Sequence, residues 1–154
     1  MSNPIELRLT KLGLELPDAP APAANYVPFV QSGALLFISG QISQGPSGLI
    51  CGKLGDGMEV ADGVQAARHC ALALLAQARA ACGGDLSRVK RVVKLTGFVN
   101  STPDFTDQPR VINGASDLLV EVLGDAGRHA RAAVSAAALP LGVAVEIEAV
   151  FELA

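Results

Sequence analysis

The chain is expected to fold as an α+β sandwich of two layers, a mixed sheet carrying two helices on one of its faces. Three observations carry that expectation. Residues 143–151 alternate with period two, with Val143, Val145, Ile147, Ala149 and Phe151 on one face and Ala144, Glu146, Glu148 and Val150 on the other. Residues 59–82 and 111–123 instead repeat apolar side chains at three- and four-residue steps, the spacing of one helical face. The elements then read strand, strand, helix, strand, helix, strand, strand. With 154 residues, 50% of them hydrophobic, the chain is long enough for one domain with its own core.

At the start, Ile5, Leu7, Leu9, Leu12 and Leu14 suggest a short helix stopped by Gly13 and Pro17. Pro17, Pro20 and Pro22 then mark an extended linker. Residues 1–24 are therefore read as helix and linker, and 25–154 as the α+β domain. Residues 26–30 and 34–39 read as two strands around a turn at Ser32-Gly33. Glycines and Pro46 between 44 and 57 point to a long irregular loop.

The first long helix, 59–82, turns Val60, Val64, Ala67, Ala71, Leu74, Ala78 and Ala81 inward and leaves Asp62, Gln65, His69 and Arg79 opposite. Gly83-Gly84 ends it. A Val-rich strand, 88–100, places Lys90, Lys94 and Thr96 on one side. The second helix buries Ile112, Ala115, Leu119 and Val122, and Gly124 stops it. An apolar run at 132–138 and the alternating run at 143–151, joined by a Leu139-Pro140-Leu141-Gly142 turn, close the chain. Two helices leave the second sheet face bare. A face expected to carry Ala, Val and Gly does not stay solvated, so self-association follows.

Composition narrows the function. The net charge is −3 without a basic run, which disfavours nucleic acid as a partner. Aromatics are 4% of the chain and Trp is absent, so an aromatic ligand cage is not expected. Glu6, Arg8 and Lys11 interrupt the N-terminal apolar residues, and no apolar stretch reaches membrane-spanning length. Cys51, Cys70 and Cys82 fit neither a disulfide framework nor a zinc site. A cytoplasmic protein with free thiols is expected, with Cys70 and Cys82 shielded by the first long helix and no membrane partner. Phosphate-loop, dinucleotide, nucleophile-elbow and His-Glu zinc patterns are absent, so no cofactor or metal is expected.

The charges of the last strand pair point to chemistry. Arg131 opens one strand, and Glu146 and Glu148 share a face of the next. In an apolar domain such groups are either solvated, paired, or set against a charged ligand. Two readings of Arg131 stand: a planar fork that holds a carboxylate through two parallel hydrogen bonds, or an ion pair with Glu146 or Glu148 tying strands together.

The segments Arg131-Ala132-Ala133-Val134, Leu139-Pro140 and Val145-Glu146-Ile147-Glu148-Ala149 resemble the C-terminal signature of the Rid family, the reactive intermediate deaminases also called YjgF or endoribonuclease L-PSP. Ser39-Gly40-Gln41-Ile42 resembles that family's first motif and Lys94-Leu95-Thr96-Gly97-Phe98-Val99 its middle strand. The resemblance runs from about Asn25 to Phe151. It implies a chorismate-mutase-like fold, a homotrimer with sites between subunits, and hydrolysis of 2-enamino or 2-imino acids to 2-keto acids and ammonia without a cofactor.

By the same resemblance Arg131 grips the carboxylate of a small-molecule substrate and Glu146 positions water and moves a proton. Tyr26, Ser39, Asn113 and Ala133 line the pocket. Each has a plainer alternative. Glu148 shares Glu146's face and is the solvated one, or is paired to a Lys. Tyr26 can cover a sheet edge, and Ser39 can cap a turn. The stretch from Phe105 to Asn113 is longer than the family spacing, and Ala133 stands where many deaminating members have Cys. His69 and Cys70 are neighbours on a helix and point apart. His129 reads as a solvated loop residue or one at the cleft mouth. A non-catalytic carboxylate-binding or regulatory trimer is the alternative function. A ribonuclease has the family's older name but no basic groove.

Overall fold

The computed structural model describes residues 3–21 and 24–154. Part of the expected linker, Pro22 with Ala23, lies outside the described residues, as do Met1 and Ser2. The elements in chain order are α1 (Pro4–Lys11), β1 (Phe29–Ser32), β2 (Leu35–Ile42), β3 (Gln44–Gly45), β4 (Gly48–Leu49), β5 (Lys53–Leu54), β6 (Gly57–Met58), α2 (Val60–Ala81), β7 (Val89–Asn100), α3 (Gln108–Leu123), β8 (Ala130–Ala136) and β9 (Val145–Leu153).

Local chemistry explains the boundaries. Asn3 caps α1 by accepting from the Ile5 N–H at 2.8 Å, and Pro4 supplies a first turn that needs no donor. A reciprocal box between Glu59 and Asp62 starts α2. Pro109 stands in the first turn of α3, so that helix begins earlier than periodicity suggested. The expected irregular loop at 44–57 differs from the structure. It contains two small ladders, antiparallel β3–β4 and parallel β5–β6. Gly48 at φ 115° and Gly57 at φ 85° take backbone conformations that side-chain-bearing residues resist, and so let the chain reverse within a few residues.

The five-stranded sheet has the order β1-β2-β9-β7-β8, antiparallel except for the β7–β8 pair. Along β9, Val145, Ile147, Ala149, Phe151 and Leu153 are buried in the core with α2 and α3. Small side chains on α2, among them Ala66, Ala67, Ala71 and Ala78, are buried and allow close helix packing. Gly114 of α3 sets the helix crossing, because a Cβ there would clash with the backbone carbonyl of Val64. The alanine-rich composition is thus a packing requirement.

No helix covers the opposite sheet face, as expected, but its composition differs from the expected Ala, Val and Gly. Register places Phe37, Val150 and Lys94 in one row and Glu148 beside Thr96 in the next. Ile42, Glu146, Phe98 and Val134 form a further row. Phe37 is 45% exposed and Val134 44% exposed. Apolar side chains therefore alternate with carboxylates across this face. Among the described residues, no helix is long and apolar enough to cross a membrane.

Candidate functional site

A break in the β2–β9 ladder builds the first half of the site. Ile38 faces Ala149 and Gln41 faces Ile147, so three steps on β2 match two on β9 and leave Ser39-Gly40 in a bulge. The bulge lays Gly40 under the Glu146 carboxylate, and a Cβ at Gly40 would collide with Glu146 Oε2. Ser39 is held by two contacts: its N–H donates to the Pro28 carbonyl at 2.9 Å and its hydroxyl to the Val27 carbonyl at 2.8 Å. These bonds fix the segment carrying Tyr26, which is 52% exposed and lies just before β1 rather than inside a strand.

Tyr26, Ser39, Gly40 and Glu146 line one cavity of about 840 Å³ together with His69 and the arm from Glu15 to Ala21. The arm is anchored where the buried Gln77 amide donates to the Pro20 carbonyl at 2.8 Å. Burial pushes the Glu146 carboxyl above its ordinary pKa, and repulsion from Glu148 adds to the rise. Among the described residues Glu146 has no cationic partner within ion-pair distance. Such a carboxylate is suited to taking and returning a proton. Glu148 is exposed beside Thr96 and is the solvated member of the pair.

The second half is built on β8 and α3. Arg131 is in register with the core residue Leu95, so its side chain lies on the helix side of the sheet. There Nη1 donates to Asn113 Oδ1 at 2.8 Å and to Ser116 Oγ at 3.2 Å. Ala133 follows on the same side, in register with Gly97. Both acceptors of Arg131 are neutral, and among the described residues it has no acidic partner. The alternative ion pair with Glu146 or Glu148 does not form. Those side chains alternate with the core residues of β9 and so lie on the opposite sheet face, with β7 between the strands.

The structure therefore divides the six candidate residues into two groups. Tyr26, Ser39 and Glu146 share a cavity; Arg131, Asn113 and Ala133 lie on the other side of the sheet. Sequence reasoning missed several neighbours. His69, expected on an open helix face, lines the cavity beside Gly45, where a Cβ would stand 3.5 Å from the imidazole Nε2. The described part of the proline linker, Pro17 to Ala21, is a cavity wall. His129, expected as a solvated loop residue or one at the cleft mouth, is half-buried with both ring nitrogens hydrogen-bonded. Only its adjacence to the Arg131 strand hinted at this. Cys70 is buried against the Val145 carbonyl, and burial followed by the charge of Glu146 pushes its thiol pKa up, so it is no nucleophile. Among the described residues no group of three or more His, Cys, Asp or Glu is placed to hold a metal ion.

A bulged mixed sheet with helices on one face, a carboxylate over a glycine and an unneutralised Arg on the edge strand define the class. Residues 6–153 match the family described as "YjgF/chorismate_mutase-like, putative endoribonuclease", and the chain belongs to this YjgF/Rid family. It is 52% identical over 154 residues to Protein TCP17 of Trypanosoma cruzi, covering 99% of this chain and 96% of that one. The crystal structure of Atu1372 from Agrobacterium tumefaciens, a protein of unknown function, superposes with a TM-score of 0.91 at 50% identity, covering 98% of this chain and 93% of that one. RidA from the Antarctic bacterium Psychrobacter sp. PAMC 21119 superposes with a TM-score of 0.60 at 30% identity, covering 88% of this chain and 94% of that one.

Proposed function

We propose that this protein is a cytoplasmic homotrimer that hydrolyses reactive 2-imino and 2-enamino acids to 2-keto acids and ammonia. The observation that carries the reading is the separation of two complementary half-sites. One offers an unneutralised guanidinium, the other a carboxylate of raised pKa on a cavity, and a single chain holds them on opposite sheet faces. Association through the uncovered faces that also sets the β8 edge of one subunit beside the Glu146 cavity of the next would join the two halves across the subunit boundary. The exposed Phe37 and Val134 on that face supply apolar area for such contact.

In this arrangement Arg131 holds the substrate carboxylate through two N–H groups. Glu146, ionised, takes a proton from a water as the water oxygen bonds to the carbon of the protonated imine and the C=N π pair moves onto nitrogen, giving a neutral carbinolamine. Glu146 then returns that proton to the amino group; the C–N bond breaks with release of ammonia, and the hydroxyl proton passes back to Glu146 as the C=O of the 2-keto acid forms. An enamine enters the same path after protonation at its terminal carbon. Imines hydrolyse readily in water, so positioning and one proton shuttle suffice. No cofactor is needed for this reaction.

A second reading, a carboxylate-binding or regulatory trimer without turnover, is favoured by Ala133, which offers no thiol beside Arg131. Ammonia release from freshly generated 2-aminoacrylate separates the two. The wild-type protein is expected to accelerate it; a rate equal to that in buffer leaves only the binding role. The ribonuclease reading lacks a basic groove and would require RNA cleavage that falls with salt.

A further inference from the structure

Arg131 is held from behind by a chain of neutral groups whose donor and acceptor roles are forced. The Gly127 carbonyl lies 2.6 Å from His129 Nδ1. A carbonyl oxygen only accepts, so Nδ1 carries a proton. Burial lowers the pKa of His129, and the nearby Arg131 charge lowers it further against the Gly127 hydrogen bond, which leaves Nε2 without a proton at neutral pH. Nε2, 2.9 Å from Ser116 Oγ, must then accept the serine hydrogen. The serine oxygen is left to face Arg131 with a lone pair, and it takes one N–H of Nη1 while Asn113 Oδ1 takes the other.

Both hydrogens of Nη1 are thereby used. The Nε and Nη2 edge, the side-on face of the fork, has no partner among the described residues and matches the spacing of a carboxylate. We propose that Ser116 and His129 are positioning residues of this chain: they fix the rotation of Arg131 so that its Nε–Nη2 edge is presented to the substrate carboxylate. This rests on the reading of Arg131 as the carboxylate anchor. Neither residue touches substrate; both act through the guanidinium.

The test uses the wild-type protein and five variants. In wild type, the nitrogen-15 spectrum of His129 at neutral pH should show the Nδ1–H tautomer; an Nε2–H tautomer overturns the inference without any mutation. Ser116→Ala should raise the pyruvate Kd and the KM by about threefold to tenfold, the range of one hydrogen bond, with kcat unchanged. Ser116→Thr, which keeps the hydroxyl, should recover most of the loss, and His129→Phe should behave as Ser116→Ala does. In an Arg131→Ala background Ser116→Ala should change nothing further, because there is no guanidinium left to orient. If Arg131→Ala loses pyruvate and Ser116→Ala binds it as wild type does, the positioning role fails and the anchor stands. If Arg131→Ala itself binds pyruvate as wild type does, the anchor reading fails, and this inference with it.

Discussion

Arg131 carries a positive charge that, among the described residues, is met only by an amide oxygen and a hydroxyl. A charge placed so is available to an anion, and its loss should be felt mainly in ligand affinity. Arg131→Ala is expected to weaken pyruvate binding roughly ten- to hundredfold, the cost of charge-assisted hydrogen bonds, in a protein that stays folded. Arg131→Lys should restore little, since a point charge cannot reproduce the fork. Isothermal titration of the three proteins measures this, and equal affinities would return Arg131 to a structural role. Glu146 presents the opposite case. Its folded-state pKa is raised, by burial first and Glu148 second, so its ionised form costs stability in the native state. That cost is absent below the ordinary carboxylate pKa, where both folded and unfolded states are protonated, and is complete above the raised value. Glu146→Gln should therefore raise Tm at pH 7, with the gain vanishing towards pH 4, while slowing turnover by about a hundredfold. A lower Tm at pH 7 would contradict the assignment. Glu148→Gln, at an exposed position, should do less to turnover.

At the scale of the element, the bulge at Ser39-Gly40 decides where the carboxylate lies. A regular β2 would pair residue for residue with β9, and the Gly40 backbone would not come under Glu146. Gly40→Ala places a methyl group where Oε2 lies, so the carboxylate must rotate away or the bulge must open. Turnover should fall at least tenfold while the far-UV circular dichroism is unchanged, since misplacement of a reacting group by a fraction of a side-chain length is costly. An active Gly40→Ala variant would show that Glu146 works from another position. The bulge was not legible in the alternation of β9 or in the glycine alone. Its cause lies in the pairing of two strands distant in the chain, and no local pattern reports that.

For the whole molecule, the uncovered face is the governing feature. Phe37 and Val134 are exposed on it, interleaved with Glu146, Glu148 and Lys94. Light scattering is expected to report three chains, and Phe37→Glu, which adds a carboxylate beside Val150 and near Glu148, should dissociate them and abolish turnover together. A wild-type monomer at micromolar concentration would remove the composite site. The thiols test the packing of the same fold. All three cysteines are free, with Cys51 exposed and Cys70 and Cys82 buried. One thiol should react in native buffer and three after denaturation; early reaction of Cys70 would mean that α2 does not seal the core against β9.

The sequence by itself determined the two layers and the order of their long elements, and its motifs singled out Arg131, Glu146 and Asn113 as candidates. These rest on local periodicity and on short motifs, and hydrophobic alternation is a property of neighbouring residues. It misjudged the face that α2 does not bury, where His69 meets a cavity walled by the N-terminal arm, and it did not foresee the hydrogen bonds that hold His129. Only the tertiary structure decided that Arg131 and Glu146 stand on opposite faces of the sheet. Each strand's alternation specifies which residues share a face within it. Which of those faces meets the helices is set by the parallel register of β8 on β7 and the antiparallel register of β9, and that choice belongs to the assembled sheet.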